Sequence, residues 1–355
     1  MEKRINKLRS KMKEKEIEAF FITSRKNVRY LTGFTGTAGR LLITKNDNIF
    51  ITDSRYTEQA EAQTEACRIE VINSRVVEGI GKLLKKSDVD ELAFESEHTT
   101  YSEFQEYREK FPIGKLIPQK NIVEKLRTIK EASEVELIKK AVEISDRAFF
   151  HILNFIRPGI TEKEVSLELE FSMKKGGGEA NAFDFIVASG KRGAMPHGVA
   201  ADKKLEVGDL ITMDFGTVYR GYHSDITRTV ALGEPDEKLK EIYDLVFTAQ
   251  KKVIEEIKAG MTAVEADSIA RDFIKNSGYG DNFGHGLGHG VGLQIHEAPR
   301  LSYSSNDVLK EGMIVTDEPG IYVSGLGGVR IEDDLLIKED GCQVLNSAPK
   351  ELIIL

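Results

Sequence analysis

Residues 208–232 read GDLITMDFGTVYRGYHSDITRTVAL, two β-rich runs flanking Val218-Tyr219-Arg220-Gly221. The runs predict a hairpin. A two-residue loop of Tyr219 and Arg220 would pair Val218 with Gly221 and set Asp214 opposite Asp225. Directly opposed residues hold their Cβ atoms about 4.5–5.5 Å apart. Two carboxylates that close raise each other's pKa unless a cation or a proton lies between them. Buried charges are paired or bind metal. The pair therefore reads either as a metal site or as two aspartates at a wet strand end, and the surrounding chain must decide.

Working outward, the C-terminal half repeats itself. Apolar residues at Val135, Ile138, Val142, Phe149, Ile152 and Ile156 keep a helical period as far as Arg157-Pro158-Gly159. Thr161 to Glu164 then form a capping-box pattern. A second stripe, Leu239, Ile242, Val246, Ala249, Val253 and Ile257, runs to Lys258-Ala259-Gly260, and Thr262 to Glu265 repeat the box. After the first box, Val165, Leu167, Leu169 and Phe171 alternate as a strand would. The helical spacing of Ala266, Ile269, Ala270 and Phe273 in the second copy makes both segments helices. Each copy leads through a glycine-rich passage to a hairpin, the second pairing Gly312–Val323 with Gly327–Lys338. Two α+β halves related by a pseudo-twofold are expected.

The second hairpin carries Glu318 and Glu332 at positions corresponding to Asp214 and Asp225. If the hairpins pack together, four carboxylates converge, and about four positive charges are needed to hold them in an interior. Two divalent cations would supply them. Between the hairpins lies FGHGLGHGVGLQIHEAPR, with His285, His289 and His296, three of the chain's seven histidines. Its glycines allow tight turns and close backbone approach. A phosphate-cradling loop is the weaker reading, because no Walker lysine follows. His197, in Met195-Pro196-His197-Gly198, is a further candidate, whereas His98, His151 and His223 read as structural.

Upstream, Ile5, Leu8, Met12 and Ile17 mark a surface helix. The runs Ala19–Thr23, Leu41–Thr44 and Ile49–Thr52 predict strands of a compact α/β domain. Pro112–Lys120, with two prolines and a glycine, reads as a linker, giving domains 1–122 and 123–355. The 355 residues carry a net charge of −8 from 50 basic and 58 acidic residues, mixed along the chain. No basic block suggests a nucleic-acid partner, and no apolar run approaches a membrane span. Met1 opens a charged amphipathic segment rather than a signal peptide. Cys67 and Cys342 have no metal-type spacing and suit a reducing cytoplasm. Absent Trp and abundant Lys and Glu mildly suit a thermophile.

In order, PHG (196–198), the Asp214 and Asp225 pair with ten residues between, GHGVGxxxHE (288–297), EPG (318–320) and RIEDD (330–334) resemble the pita-bread metallopeptidases, which include methionine aminopeptidase, aminopeptidase P and prolidase. The resemblance covers essentially the whole chain. It implies an α+β fold: an N-terminal creatinase-like α/β domain followed by a pita-bread catalytic domain. It implies five metal ligands, Asp214, Asp225, His289, Glu318 and Glu332, with Asp225 and Glu332 bridging two divalent ions. Asp214 would hold one ion, and His289 with Glu318 the other. An oxygen-rich set with one imidazole favours Mn²⁺ or Co²⁺ over Zn²⁺. All five are present, unlike in the family's non-metal members, which argues against a non-catalytic binding protein. Glu318 is the implied proton shuttle. His197 and His296 are implied donors to the substrate, His285 the additional site histidine, and Arg330 the support of a ligand carboxylate.

GFTGTAG (33–39) and TDSRYTEQA (52–60) look most like aminopeptidase P. The expectation is an Xaa-Pro peptidase acting on short peptides with proline second, as a homodimer. Arg300 follows HEAP, where some prolidases carry an arginine thought to bind a dipeptide's free carboxylate. It reads equally as an exposed loop arginine. Prolidase is therefore the alternative, and another metal-dependent hydrolase a more distant one.

Overall fold

The computed structural model describes residues 1–355. The chain divides into two units, Met1–Arg127 and Thr128–Leu355. The first contains α1 (Glu2–Glu14), β1 (Ala19–Ile22), α2 (Arg25–Thr32), β2 (Arg40–Thr44), β3 (Asn48–Thr52), α3 (Thr57–Gln63), β4 (Arg68–Val71), α4 (Val76–Lys86), β5 (Glu91–Glu95), α5 (Tyr101–Lys110), β6 (Lys115–Gln119) and α6 (Ile122–Arg127). One six-stranded mixed sheet runs β4-β3-β2-β1-β5-β6. Every residue of β1 is buried, as befits an interior strand covered on both faces. The helix α1 buries Ile5, Leu8 and Met12 along one stripe.

The segment expected to be a linker is the strand β6, which pairs in parallel with β5 and sets Pro118 opposite Phe94. Proline has no N–H to give a ladder, but β6 is an edge strand, where none need be given on the open side. The units therefore part after Arg127 rather than after residue 122.

The second unit contains α7 (Ala132–Ile152), α8 (Glu162–Lys175), β7 (Ala180–Asn181), β8 (Ile186–Ser189), β9 (Leu210–Phe215), β10 (Thr217–Tyr219), β11 (Tyr222–His223), β12 (Ile226–Ala231), α9 (Glu237–Glu256), α10 (Ala263–Ile274), β13 (Gly288–Gly290), β14 (Glu297–Leu301), β15 (Ile314–Asp317), β16 (Gly320–Val323), β17 (Gly327–Arg330), β18 (Asp333–Lys338) and β19 (Gly341–Val344). The repeat is visible in detail. Thr161 with Glu164 and Thr262 with Glu265 form complete capping boxes at the starts of α8 and α10, each worth about 1 kcal/mol to its helix. Gly159 and Gly260, just before them, share a left-handed conformation at φ +91° and +90°. In α8, Val165, Leu169 and Met173 are buried while Leu167 and Phe171 are exposed. Four-residue spacing, not alternation, thus decides what this segment buries. Each buried aliphatic contributes about 1.5–3 kcal/mol.

Each half has its own core. One includes Phe149, Ile152, Val165, Leu169, Met213 and Val230. The other includes Ile242, Val246, Ala266, Ala270, Val315 and Leu335. The half-sheets, β12-β9-β8 and β14-β13-β15-β18-β19, meet where the Glu332 N–H donates to the Thr227 carbonyl at 3.1 Å. The seam brings the two acidic hairpins together.

The first hairpin's register differs from the expected one. Tyr219 pairs with Tyr222, leaving Arg220 and Gly221 in the turn at φ +46° and +76°. Two consecutive left-handed residues make the turn that matches strand twist, and glycine suits the second position. The pairing slides by two residues, so Asp214 lies opposite Thr227 rather than Asp225. A two-residue slide keeps each side chain on its face, and both aspartates still reach the seam. No helix is long and apolar enough to cross a membrane. Cys67 and Cys342 are free, and burial pushes both thiols up to about 11.

Candidate metal centre

The site is built at interruptions in the hairpins. Asp214 is the penultimate residue of β9. Asp225 falls in the gap between β11 and β12, and Glu318 and Glu332 in the corresponding gaps of the second hairpin. Glu318 donates its backbone N–H to the Leu287 carbonyl at 2.9 Å, tying the second hairpin to the glycine-rich passage. His289 stands on β13, its N–H donating to Thr316 Oγ1 at 3.0 Å.

Asp225, His289 and Glu332 bring ligand atoms to within 4.8 Å of one another. His289 Nε2 lies 3.6 Å from Asp225 Oδ2 and 3.5 Å from Glu318 Oε1. These contacts are not ion pairs. Burial, and then the charge of His296, lowers His289 to about 3, so its ring is neutral. The single ring proton is on Nδ1, facing the Gly290 carbonyl at 3.1 Å. The Nε2 lone pair therefore faces two carboxyl groups, which without a cation can share the site only by holding protons.

The carboxylates register the strain. Burial, followed by repulsion from Glu332, Asp214, Asp334 and Glu318, raises Asp225 well above its ordinary range. Glu332 is raised by burial and then by Glu318 and Asp214. Glu318 is pushed up to about 8, chiefly by burial. Asp214 is raised by burial against the opposing charge of Arg330. Asp214 Oδ1 and Asp225 Oδ1 are buried without a hydrogen-bond partner, a state native proteins avoid unless an ion completes it. Buried, mutually repelling oxygens with one imidazole lone pair are a donor set for divalent cations. The residues fit such ions.

A second group of one histidine and two carboxylates behaves differently. In the N-terminal unit, Glu95, His98 and Glu124 also cluster. There Asn27 Nδ2 already donates to Glu95 at 2.6 Å and Glu124 at 2.5 Å, and the Ser24 N–H donates to Glu95 at 2.7 Å. That group is a satisfied hydrogen-bonded joint.

Around the centre, Arg330 Nη2 donates to Asp214 Oδ2, Nη1 to Tyr322 Oη at 2.8 Å and Nε to Thr227 Oγ1 at 3.1 Å. Thr227 Oγ1 donates to Glu332 Oε2 at 2.6 Å. His296 is exposed, its ring centroid 4.3 Å from that of His289. His197 is exposed on a loop whose Pro196 carbonyl accepts from Arg330 at 3.1 Å. Arg300 is exposed on β14 directly across the ladder from His289.

His285 lies against Tyr322. Its Nδ1 donates to the Gly286 carbonyl at 2.8 Å, and its Nε2 accepts from Tyr322 Oη at 2.9 Å. Burial lowers it to about 4, so the ring is neutral and its one proton is used. In this arrangement His285 braces Tyr322 and, through it, Arg330.

Sequence reasoning passed over several groups. Asp334 Oδ2 accepts the Asp225 N–H at 3.0 Å, and RIEDD contains it without marking a role. His223, taken as structural, is buried and binds the Gly292 carbonyl. Tyr322 follows EPG closely and could have been singled out there. Asp317 is buried with both oxygens unpartnered opposite Asp333, and no signal in the chain pointed to it.

Residues 136–339 match the model of metallopeptidase family M24, and residues 4–129 match the creatinase/prolidase N-terminal domain. A solved Xaa-Pro dipeptidase from Bacillus anthracis is 50% identical, with a TM-score of 0.98 over 99% of both chains. The Xaa-Pro dipeptidase of Pyrococcus furiosus is 43% identical over 99% of this chain and 100% of its own. A solved X-Pro aminopeptidase from Thermotoga maritima is 41% identical, with a TM-score of 0.91 over 95% of this chain and 97% of its own.

Proposed function

The chain belongs to metallopeptidase family M24, and from that premise we propose that this hydrolase is a dinuclear metal-dependent Xaa-Pro dipeptidase, a prolidase. The observation that carries the reading is the set of facing acceptors, His289 Nε2 between Asp225 and Glu318 at 3.6 and 3.5 Å. The greater likeness to a dipeptidase, 50% against 41% for the aminopeptidase, favours dipeptides over the aminopeptidase P activity first expected.

Asp214, Asp225, His289, Glu318 and Glu332 would hold the ions. Mn²⁺ suits the oxygen-rich set best, with Co²⁺ or Zn²⁺ as substitutes. Bound ions lower the pKa of a water to near neutrality and polarise the scissile carbonyl. Glu318 would carry a proton to the leaving nitrogen. The proline nitrogen, like any amide nitrogen, must be protonated to leave as an amine. His296 and His197 donate hydrogen bonds to the substrate. Arg330, fixed by Tyr322 and Thr227, keeps Asp214 in place. Arg300 receives the free carboxylate of a dipeptide. The chain acts as a cytoplasmic homodimer on this reading, the assembly being testable by light scattering.

The test is a paired cleavage assay. The protein is stripped with chelator, and Mn²⁺, Co²⁺ or Zn²⁺ is restored separately. An Xaa-Pro dipeptide and an Xaa-Pro-Yaa tripeptide are then offered side by side. Metal-dependent cleavage of the dipeptide alone is expected. Release of the first residue from the tripeptide would mean aminopeptidase P, and cleavage of neither by the metal-loaded protein would overturn the Xaa-Pro reading.

A further inference from the structure

The passage that delivers His289 and His296 is rich in glycine and has few side chains with which to anchor itself. One buried ion pair does so from outside. Lys130 Nζ lies 2.8 Å from Glu297 Oε1, and the two side chains are 1% and 6% exposed. Lys130 Nζ also donates to the Thr128 carbonyl at 3.2 Å. The lysine's backbone is fixed in turn, its N–H donating to the Gly312 carbonyl at 2.8 Å. Glu297 follows His296 directly.

The Glu297 carboxylate also fills the space over Gly292, where a Cβ would collide with Oε1. The Gly292 carbonyl accepts from the His223 N–H at 2.9 Å and from His223 Nδ1 at 3.0 Å. The Gly292 N–H donates to the Gln294 carbonyl at 3.1 Å, and the Val291 N–H to the Ile314 carbonyl at 3.1 Å. The turn from Val291 to Glu297 is thus closed on itself and held at both ends. His296 is carried on it, outside the hydrogen-bonded part, with its ring over His289.

A buried ion pair adds little net stability compared with apolar residues of the same volume. What it adds here is a fixed direction and distance. We infer that Lys130 is a positioning residue: its ion pair with Glu297 sets where His296 stands over the metal centre. The inference rests on the reading of His296 as a donor to the substrate.

The experiment uses the metal-loaded full chain and an Xaa-Pro dipeptide. Lys130→Met alone strands a buried carboxylate and can unfold the protein. The working variant is therefore the double Lys130→Met/Glu297→Gln, which removes both charges. It is expected to fold, to bind the wild-type quantity of metal and to keep KM within about twofold. Its kcat is expected to fall about 10- to 100-fold, the scale of an ångström-sized misplacement. Adding His296→Ala to it should cost little more, because the ring is already out of place. Lys130→Arg should retain much of the activity. A folded double variant with wild-type kcat, or losses that multiply with that of His296→Ala, would overturn the inference.

If His296→Ala alone keeps wild-type kcat, the donor role of His296 fails. The clamp is then judged by the ring resonances of His296 in the zinc-loaded, diamagnetic protein. A shift in the double variant supports the clamp, and an unchanged resonance overturns it.

Discussion

Removing the metal should make the protein lose stability as pH rises. Glu318 is pushed up from 4.5 to about 8 in the folded chain, first by burial. Asp225 and Glu332 are displaced in the same direction by burial and by neighbouring carboxylates. The folded, metal-free chain therefore holds protons that the unfolded chain releases above about pH 4.5. Stability from a raised carboxyl is complete below its unfolded value and is lost as pH climbs through its folded value. For Glu318 the window runs from 4.5 to about 8. At about 1.36 kcal/mol per pH unit the loss approaches 5 kcal/mol as a ceiling. A domain of 150–250 residues shifts its Tm by about 2–4 °C per kcal/mol, so a drop of about 10–20 °C is expected.

With metal bound, cations replace the protons, and ligand deprotonation favours binding as pH rises. The assay is thermal unfolding from pH 5 to 8.5, with chelator and with saturating Mn²⁺. The gap between the two Tm curves should widen with pH. Effects of overall charge are common to both arms and cancel in the gap. Parallel curves, or a metal-free Tm that rises with pH, would refute the reasoning that these carboxylates share one buried site.

Glu318→Gln should retain the fold and lose about 10²- to 10⁴-fold in kcat with metal bound, the usual scale for a proton-transfer group, as steady-state kinetics would show. Arg330→Met leaves Asp214 buried without its cation and should cost about 3–5 kcal/mol in urea unfolding of the chelator-treated protein. Arg330→Lys should rescue it only in part, because one ammonium cannot reach Asp214, Tyr322 and Thr227 together as the guanidinium does. Arg300→Ala should raise KM for an Xaa-Pro dipeptide about tenfold or more, on the scale of a charge-assisted hydrogen bond, and leave kcat nearly unchanged. Equal effects on a dipeptide and its C-terminal amide would remove Arg300 from carboxylate binding.

Local physics was legible in the chain, and distant pairing was not. The capping boxes at Thr161 and Thr262 were readable because every interaction in them lies within three residues. The α8 helix was readable because its duplicate spelled out a helical period that Leu167 and Phe171 obscure. The register of the first hairpin was not, since it depends on which two residues take left-handed φ, and Gly221 moved the turn by one position. The two-residue slide left both aspartates on the seam. Pro118 suggested a linker because a sequence does not announce which strand will be an edge. The contact of His285 with Tyr322, 37 residues away, was not legible either. Lys130 and Glu297, 167 residues apart, left no trace in either neighbourhood.

The most direct measurement is activity restored by counted metal. Chelator-treated protein is titrated with Mn²⁺ while Xaa-Pro dipeptide hydrolysis and bound metal are followed together, for the wild type and for Asp225→Asn. Activity should be absent without metal and reach its plateau at about two ions per chain, as a dinuclear centre requires. Asp225→Asn should bind less and remain inactive. Undiminished hydrolysis in metal-free protein, or full activity in Asp225→Asn, would contradict the account.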